Sequence, residues 1–556
     1  MNTKKLEEEI IEEANKYVVK GAIPFLPIEG YFKYLSEGDR LIFENHYFDR
    51  RRQLAALGMA YWLKKEKAVK ELLEQLIWEI CNEYTWALPA HLPIVSGMYS
   101  GESPEWLDLF AAETGQALSE LIEIVGEDLS PMIRQRIFTE VNRRIFEPLE
   151  NRNWEWELKE NNWSSVIGGA IGLSVLSLLP KNDSRQKQLI ERLDIAMQSY
   201  LRGFGSDGAC VEGVGYWAYG FGYFIYYAQK LAEVTGDTTY LELAKVKKIA
   251  EFPYYTMITP GIYVPFSDYS KVELPTGLVS FCHDYFQVSV PSMKEVNAFD
   301  SDHCYRFAHI YRNLIWNQPL IYRTKNQETN QWFEDVQWWI KNNELSYFAV
   351  KGGDNAESHN HLDVGHFIFG TKEQLFLTDL GAGEYTKDYF SESSRYHIFP
   401  NSAQSHSVPQ INGAWQQPGS VGSRLLEKDT VSAKLDLSDI YLNARLNEYH
   451  RNYSIIGQKV TIKDTFDFTK EKNQVIENFI TQIRPEVSGK VVYLKEEGQI
   501  CKLDLGTTRI ETKEHLFSNH HGQCEKAYTI EAGYELGQKG SVEMFFEIVN
   551  DTKINH

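Results

Sequence analysis

The sequence predicts an α+β protein of two parts, a helical first half suited to a toroid of helical hairpins and a β-rich second half suited to an antiparallel sandwich. Three observations carry this expectation. Apolar residues recur at three- and four-residue steps through the first half. Beyond Lys325 to Asn330 the period shortens to two. That polar stretch, Lys-Asn-Gln-Glu-Thr-Asn, reads as the linker between a helical domain over 1–325 and a β domain over 331–556.

In the first half, Val69, Leu72, Leu73, Leu76, Ile77 and Ile80 form one buried helical stripe. Ser103-Pro104 and Ser130-Pro131 each offer an N-cap followed by proline at the first helical position. The helices they predict carry Leu107, Ala111, Leu118, Leu121, Ile122 and Val125, then Ile133, Ile137, Val141 and Ile145. Another helix is predicted through Leu189, Leu193, Met197 and Leu201. In the second half, Val431, Ala433, Leu435 and Leu437 alternate with polar residues, as do Val460 and Ile462, then Phe466 and Phe468. Clusters such as Lys351-Gly352-Gly353-Asp354-Asn355 predict the intervening turns.

With 556 residues, 43% hydrophobic and 24% charged, the chain has an ample core and the composition of a soluble globular protein. A formal charge of −20 argues against a nucleic-acid partner, and any cleft for a polyanion must be locally basic. The six cysteines (Cys81, Cys210, Cys282, Cys304, Cys501, Cys524) form no CxxC pair, which fits a reducing compartment. The start, Met1 to Glu9, lacks the apolar core of a signal peptide, and no later run is long enough to span a bilayer. A cytoplasmic location with no membrane partner is therefore expected; oligomeric state is not legible.

The most informative stretch is Glu357-Ser358-His359-Asn360-His361-Leu362-Asp363. On extended backbone, two imidazoles two residues apart project to the same side. Imidazole is the commonest protein metal ligand and the base best poised near neutral pH. Asp379 and His406 follow in order, so His361, Asp379 and His406 can close around a divalent ion and leave His359 for chemistry. Two imidazoles and one carboxylate suit Zn2+, and the ligand types also admit Mn2+. Asn360 and Asp363 are candidate partners fixing the ring orientations. A solvated polar sheet face is the alternative. His366 and His397 are expected to pack rather than ligate.

The blocks SHNHLDVGHFIF, FLTDLGAGEY and RYHIFPNSAQSHSVPQING resemble the signature of the heparinase II/III-like polysaccharide lyases. WALPAHLP, WLDLFAAETGQALSEL, NNWSSVIGGAIGL and DGACVEGVGYWAYG resemble that family's helical half, and the likeness runs in order over roughly residues 50–480. The resemblance implies an incomplete α/α toroid followed by an antiparallel β-sandwich, a structural zinc, and cleavage of uronic-acid polysaccharides by β-elimination. It further implies that His359 is the base and that His361, Asp379 and His406 are the metal ligands.

Elimination also requires a group that neutralises the uronate carboxylate and an acid that protonates the departing oxygen. The resemblance places the first in Asn161-Asn162-Trp163, with Asn162 the first choice and Asn161 equally suited to capping the next helix. It places the acid in Glu212-Gly213-Val214-Gly215-Tyr216-Trp217-Ala218-Tyr219-Gly220, where Tyr219 leads over Tyr216 because Gly220 follows it. On a helix these two tyrosines would share a face. Trp163, Arg395 and Tyr396 are candidate substrate contacts, Arg395 being equally suited to a surface salt bridge.

The expected substrate is an acidic polysaccharide or oligosaccharide, a glycosaminoglycan first and alginate as the alternative. A glycoside hydrolase using Asp207 and Glu212 is the competing enzyme, and a metal-braced binding protein the competing non-enzyme. Without a visible export signal, already imported oligosaccharides are expected to be cleaved at least as well as long chains.

Overall fold

The computed structural model describes residues 3–181, 183–317, 328–391, 393–442 and 444–550. The chain forms two compact units, but not by a single cut. One comprises 1–204, 215–251 and 273–324; the other adds 205–214 and 252–272 to 325–556. Of the expected linker, Lys325–Gln327 lie outside the described residues, and Thr329 already begins a strand, Thr329–Phe333.

The first unit is helical. The stripe from Val69 to Ile80 lies on the Lys67–Cys81 helix and is buried at Val69, Leu73, Leu76, Ile77 and Ile80. Pro131 opens the Pro131–Val141 helix as expected. Ser103-Pro104 behaves differently: it opens only a single 3-10 turn, Ser103–Glu105. The following helix, Leu109–Val125, is capped by Asp108, whose side chain accepts the Ala111 N–H. The Asn162–Leu178 helix is buried on nearly every side. Its glycines permit close neighbours, since a Cβ on Gly169 would lie 2.7 Å from the Tyr223 carbonyl oxygen.

The second unit is built on three antiparallel sheets of five, four and eight strands, with short two-stranded ladders beside them. Lys459–Phe468 shows the expected alternation, burying Val460, Ile462, Phe466 and Phe468. One apolar core draws on all three sheets. Trp339, Phe348 and Phe367 come from the five-stranded sheet, Val475, Phe479 and Ile530 from the four-stranded, and Ile462, Leu503 and Phe546 from the eight-stranded.

Asp464 interrupts the apolar face of Lys459–Phe468 for a reason. With Glu477 it holds the fully buried Arg451 guanidinium, at 2.6 Å from Nη2 in each case. Arg451 Nη1 donates to the carbonyls of Gly365 (3.3 Å) and Ser407 (2.9 Å), pinning the two loops that carry the candidate site. Lys351, expected in a turn, is instead the last residue of strand Tyr347–Lys351 and is wholly buried.

Candidate functional site

The loop before strand His366–Gly370 carries the paired histidines. It is not extended: His359 has φ 58°, a left-handed conformation that a side-chain-bearing residue adopts at a cost of about 1–3 kcal/mol. The two imidazoles still converge, on a carboxylate the sequence did not single out. Asp268 Oδ2 lies 2.7 Å from His359 Nδ1, and Asp268 Oδ1 lies 3.1 Å from His361 Nε2. Tyr389 Oη and Arg395 Nη2 (2.9 Å) donate to the same Oδ1. Burial alone would raise the Asp268 carboxyl, but the bonds from His359 and His361 and the Arg395 charge hold it well below the usual carboxylate range.

Asp268 is placed by its neighbours. Ser267, at φ 62°, donates its hydroxyl to the Val211 carbonyl (2.9 Å), and the Tyr269 carbonyl accepts the Ala382 N–H (2.8 Å). Glu212 is part of the same centre. Its Oε1 stands 3.4 Å from His359 Nε2 and 3.4 Å from the Ser358 hydroxyl.

Behind these groups lies a buried cluster of His361, Asp363, Asp379 and His406, with one possible ligand atom from each within 4.8 Å of the others. Hydrogen bonds define the rings. His361 Nε2–H donates to Asp268, and His406 Nδ1–H donates to the Ser402 carbonyl at 2.8 Å. A neutral imidazole has one donor and one acceptor nitrogen, so both lone pairs face inward, at His361 Nδ1 and His406 Nε2, 3.3 Å apart. Facing lone pairs in a buried site are satisfied by a cation between them, as they also are by a proton on His406 Nε2. Asp379 Oδ2 lies 3.5 Å from His406 Nε2, and both it and Asp363 Oδ1 are buried without a hydrogen-bond partner. These spacings match the edge of a tetrahedral zinc site, about 3.4 Å for ligands about 2.1 Å from the ion. The donor set fits a divalent metal.

Burial opposes a proton on His406, but the Asp379 carboxylate raises His406 above its ordinary value, and Asp379 is held low in return. Asp363 Oδ2 is paired with the buried Lys351 ammonium at 2.7 Å. His366 packs at the edge of the cluster. Its Nδ1 accepts the Ser407 N–H (2.8 Å), so its proton sits on Nε2, 3.6 Å from Asp379 Oδ2; burial holds this ring neutral. His366 therefore presents a donor, not a lone pair. His397 is exposed.

Other expected residues fall into different roles. Asn360 does not orient the imidazoles: its amide donates to the His361 carbonyl and accepts from Tyr396 Oη at 2.9 Å. Arg395 is buried, with Nε, Nη1 and Nη2 all bonded to Asp268 or to the carbonyls of Asn360 and Tyr389. It is neither a surface salt bridge nor disposed to take an anionic sugar while those bonds stand. Asp207 is engaged in a turn, accepting the N–H groups of Ala209 (3.1 Å) and Asp335 (2.8 Å).

In the helical unit, Asn161 is the N-cap of Asn162–Leu178, accepting the Trp163 N–H at 3.1 Å, and Asn162 is the buried first residue. Tyr216 ends the helical turn Val214–Tyr216, and Tyr219 lies in a different coil. A π-turn over Trp217–Phe221 widens the coil there, a deviation that recurs at functional sites. Gly220 is required by close packing, since a Cβ on it would meet the Tyr200 hydroxyl at 2.9 Å and the Asn162 Cβ at 3.2 Å.

Arg306 lies over the Tyr219 ring, 4.0 Å from its centroid, and pairs with Glu113 at 3.1 Å. Burial, then the Glu113 charge, push the Tyr219 phenol well above its ordinary value, which keeps it protonated. Trp163 is half-buried, with Lys159 Nζ 5.1 Å from its ring centre and His91 5.2 Å from it. His91 in turn is held through Nδ1 by Asp108 at 2.7 Å. The WALPAHLP block was the only signal for it.

No family model matches the sequence, and no curated protein matches it by sequence. Solved structures do match by fold. A crystal structure of heparinase III aligns over 99% of this chain and 86% of its own, with TM-score 0.68 and 12% identity. A heparan sulfate lyase from Pedobacter heparinus aligns over 99% and 84%, with TM-score 0.62 and 12% identity. Chondroitin AC lyase from Streptomyces coelicolor A3, in complex with chondroitin sulphate, aligns over 99% and 80%, with TM-score 0.58 and 9% identity. The chain therefore has the fold of these lyases along nearly its whole described length.

Proposed function

We propose that the protein is a polysaccharide lyase that cleaves uronic-acid-containing glycosaminoglycan chains or oligosaccharides by β-elimination. The observation that carries this reading is the imidazole of His359, bonded through Nδ1 to Asp268, in a chain with the fold of heparinase III. We take the helical unit as an incomplete α/α toroid and the sheets as an antiparallel sandwich, the finer architecture that the family resemblance implies.

The chemistry follows from the named groups. Because Nδ1–H is donated to Asp268, the neutral ring carries its lone pair on Nε2, where it takes the C5 proton of the uronate. The electron pair of that C–H bond becomes the C4–C5 double bond, and the C4–O bond breaks. The departing oxygen takes a proton from the Tyr219 phenol, which solvent restores. Glu212, beside Nε2, favours the imidazolium so formed. Asn162 would hydrogen-bond the uronate carboxylate, and Trp163 would offer a face to a sugar ring; removing a comparable electrostatic contact costs about 3–4 kcal/mol in other enzymes. His361, Asp379 and His406 would hold the divalent ion, with Asp363 within reach as a fourth ligand. When bound, the ion supplies a structural cross-link that braces the loop of His359.

The hydrolase alternative needs two carboxylates flanking one bond. Glu212 faces an imidazole and Asp207 is engaged in its turn, so elimination is favoured. The test is a panel of heparan sulfate, chondroitin sulfate, hyaluronan and alginate scored by ultraviolet absorbance. Conjugated unsaturated uronate is expected from at least one glycosaminoglycan. New reducing ends without absorbance would overturn the lyase.

A further inference from the structure

We propose that Asp268 is the positioning residue that ties the base to the metal centre, one carboxylate setting the tautomer of both His359 and His361. The inference deepens the lyase reading and rests on it for the role of His359. The two oxygens are divided between the rings. Oδ2 takes His359 Nδ1–H at 2.7 Å, and Oδ1 takes His361 Nε2–H at 3.1 Å. A donated Nδ1–H places the His359 lone pair on Nε2, the catalytic atom; a donated Nε2–H places the His361 lone pair on Nδ1, the ligating atom.

Asp268 is wholly buried in its side chain, and Tyr389 and Arg395 fix its rotation by donating to Oδ1. His359 holds a left-handed backbone at the end of this chain of contacts, which shows how firmly its surroundings determine it. A bound ion would thus act on the base through His361 and Asp268, without touching substrate, and ordering at one end would be felt reciprocally at the other.

The division of the oxygens makes two substitutions act differently. In Asp268→Asn, Tyr389 and Arg395 both demand an acceptor at the Oδ1 position, so the amide NH2 occupies the Oδ2 position. There it faces His359 Nδ1, which must turn acceptor and send its proton to Nε2. The base is then blocked while His361 keeps its partner. Asp268→Ala removes both partners.

The experiment is threefold: chelator competition for Zn2+ on the whole protein, kcat and KM on the best glycosaminoglycan, and 15N shifts after selective labelling of the imidazoles of its 15 histidines. In Asp268→Asn, kcat should fall by about 10²-fold or more with KM changed little, as tautomer reversal does in other His–Asp pairs. Zn2+ affinity should hold, and the His359 proton should move from Nδ1 to Nε2. In Asp268→Ala, Zn2+ affinity should fall by about 10- to 100-fold, the usual effect of losing a carboxylate behind a ligating histidine. Unchanged Zn2+ affinity in Asp268→Ala, or an unmoved His359 proton in Asp268→Asn, overturns the tie. An inactive wild type with both of these shifts present would instead remove the lyase reading and leave the tie standing.

Discussion

At the scale of single residues, base, acid and ligand have separable signatures. His359→Ala should abolish product formation, a loss of at least about 10²-fold, while Zn2+ content and melting temperature stay near wild type, because no ligand atom is removed. Tyr219→Phe removes only a hydroxyl and should lower turnover by about 10²-fold with folding intact; Tyr216→Phe should do less. The reverse ranking in steady-state assays would move the acid across the π-turn. These candidates were legible because they sit in dense motifs. Asp268 was not, since it lies 91 residues before His359 in a segment with no period and no histidine of its own. Nor was the engagement of Arg395, whose buried partners are the distant Asp268 carboxylate and two backbone carbonyls that leave no mark on residue type.

At the scale of elements, stability measurements can read both the cluster of His361, Asp363, Asp379 and His406 and the loop from Ala356 to Gly365. His406→Ala or Asp379→Asn should lose the ion, and their melting temperatures should fall to that of chelator-stripped wild type, since metal-binding energy appears as folding energy. Full Zn2+ occupancy in either variant would assign the ligands elsewhere. Glu357, half-buried at the start of the loop with Oε2 shielded from solvent, is pushed by desolvation from its ordinary 4.5 up to about 8. Between those values the folded protein keeps a proton that the unfolded chain has released, so this group lowers stability as pH rises and its effect levels off above about 8. Glu357→Gln should flatten that fall in melting temperature across the same window. Elements with strict periodicity, such as Lys67–Cys81 and Lys459–Phe468, were legible from the sequence; Ser103-Pro104 misled because a cap signal does not reveal how many turns follow it.

At the scale of the whole molecule, a chain of charge −20 has no global attraction for a polyanion, and Arg395 is engaged internally. Added salt should therefore weaken KM only modestly, and oligosaccharides should be cleaved at least as fast as polymer, with disaccharides early in size-resolved digests. Steep salt dependence or mixed mid-sized products would contradict this. The interleaved composition of the sheet-rich unit, with 205–214 and 252–272 contributed from within the helical half, has a consequence for biosynthesis. Glu212 and Asp268 leave the ribosome long before His359 and His361, and at about 5–20 residues per second the nascent chain carries Asp268 for roughly 5–20 s before its imidazole partner is made. Throughout that interval a carboxylate destined for full burial must remain hydrated, so the centre can assemble only late in translation, and a ribosome stalled before residue 359 would display helices without the imidazoles that Asp268 holds.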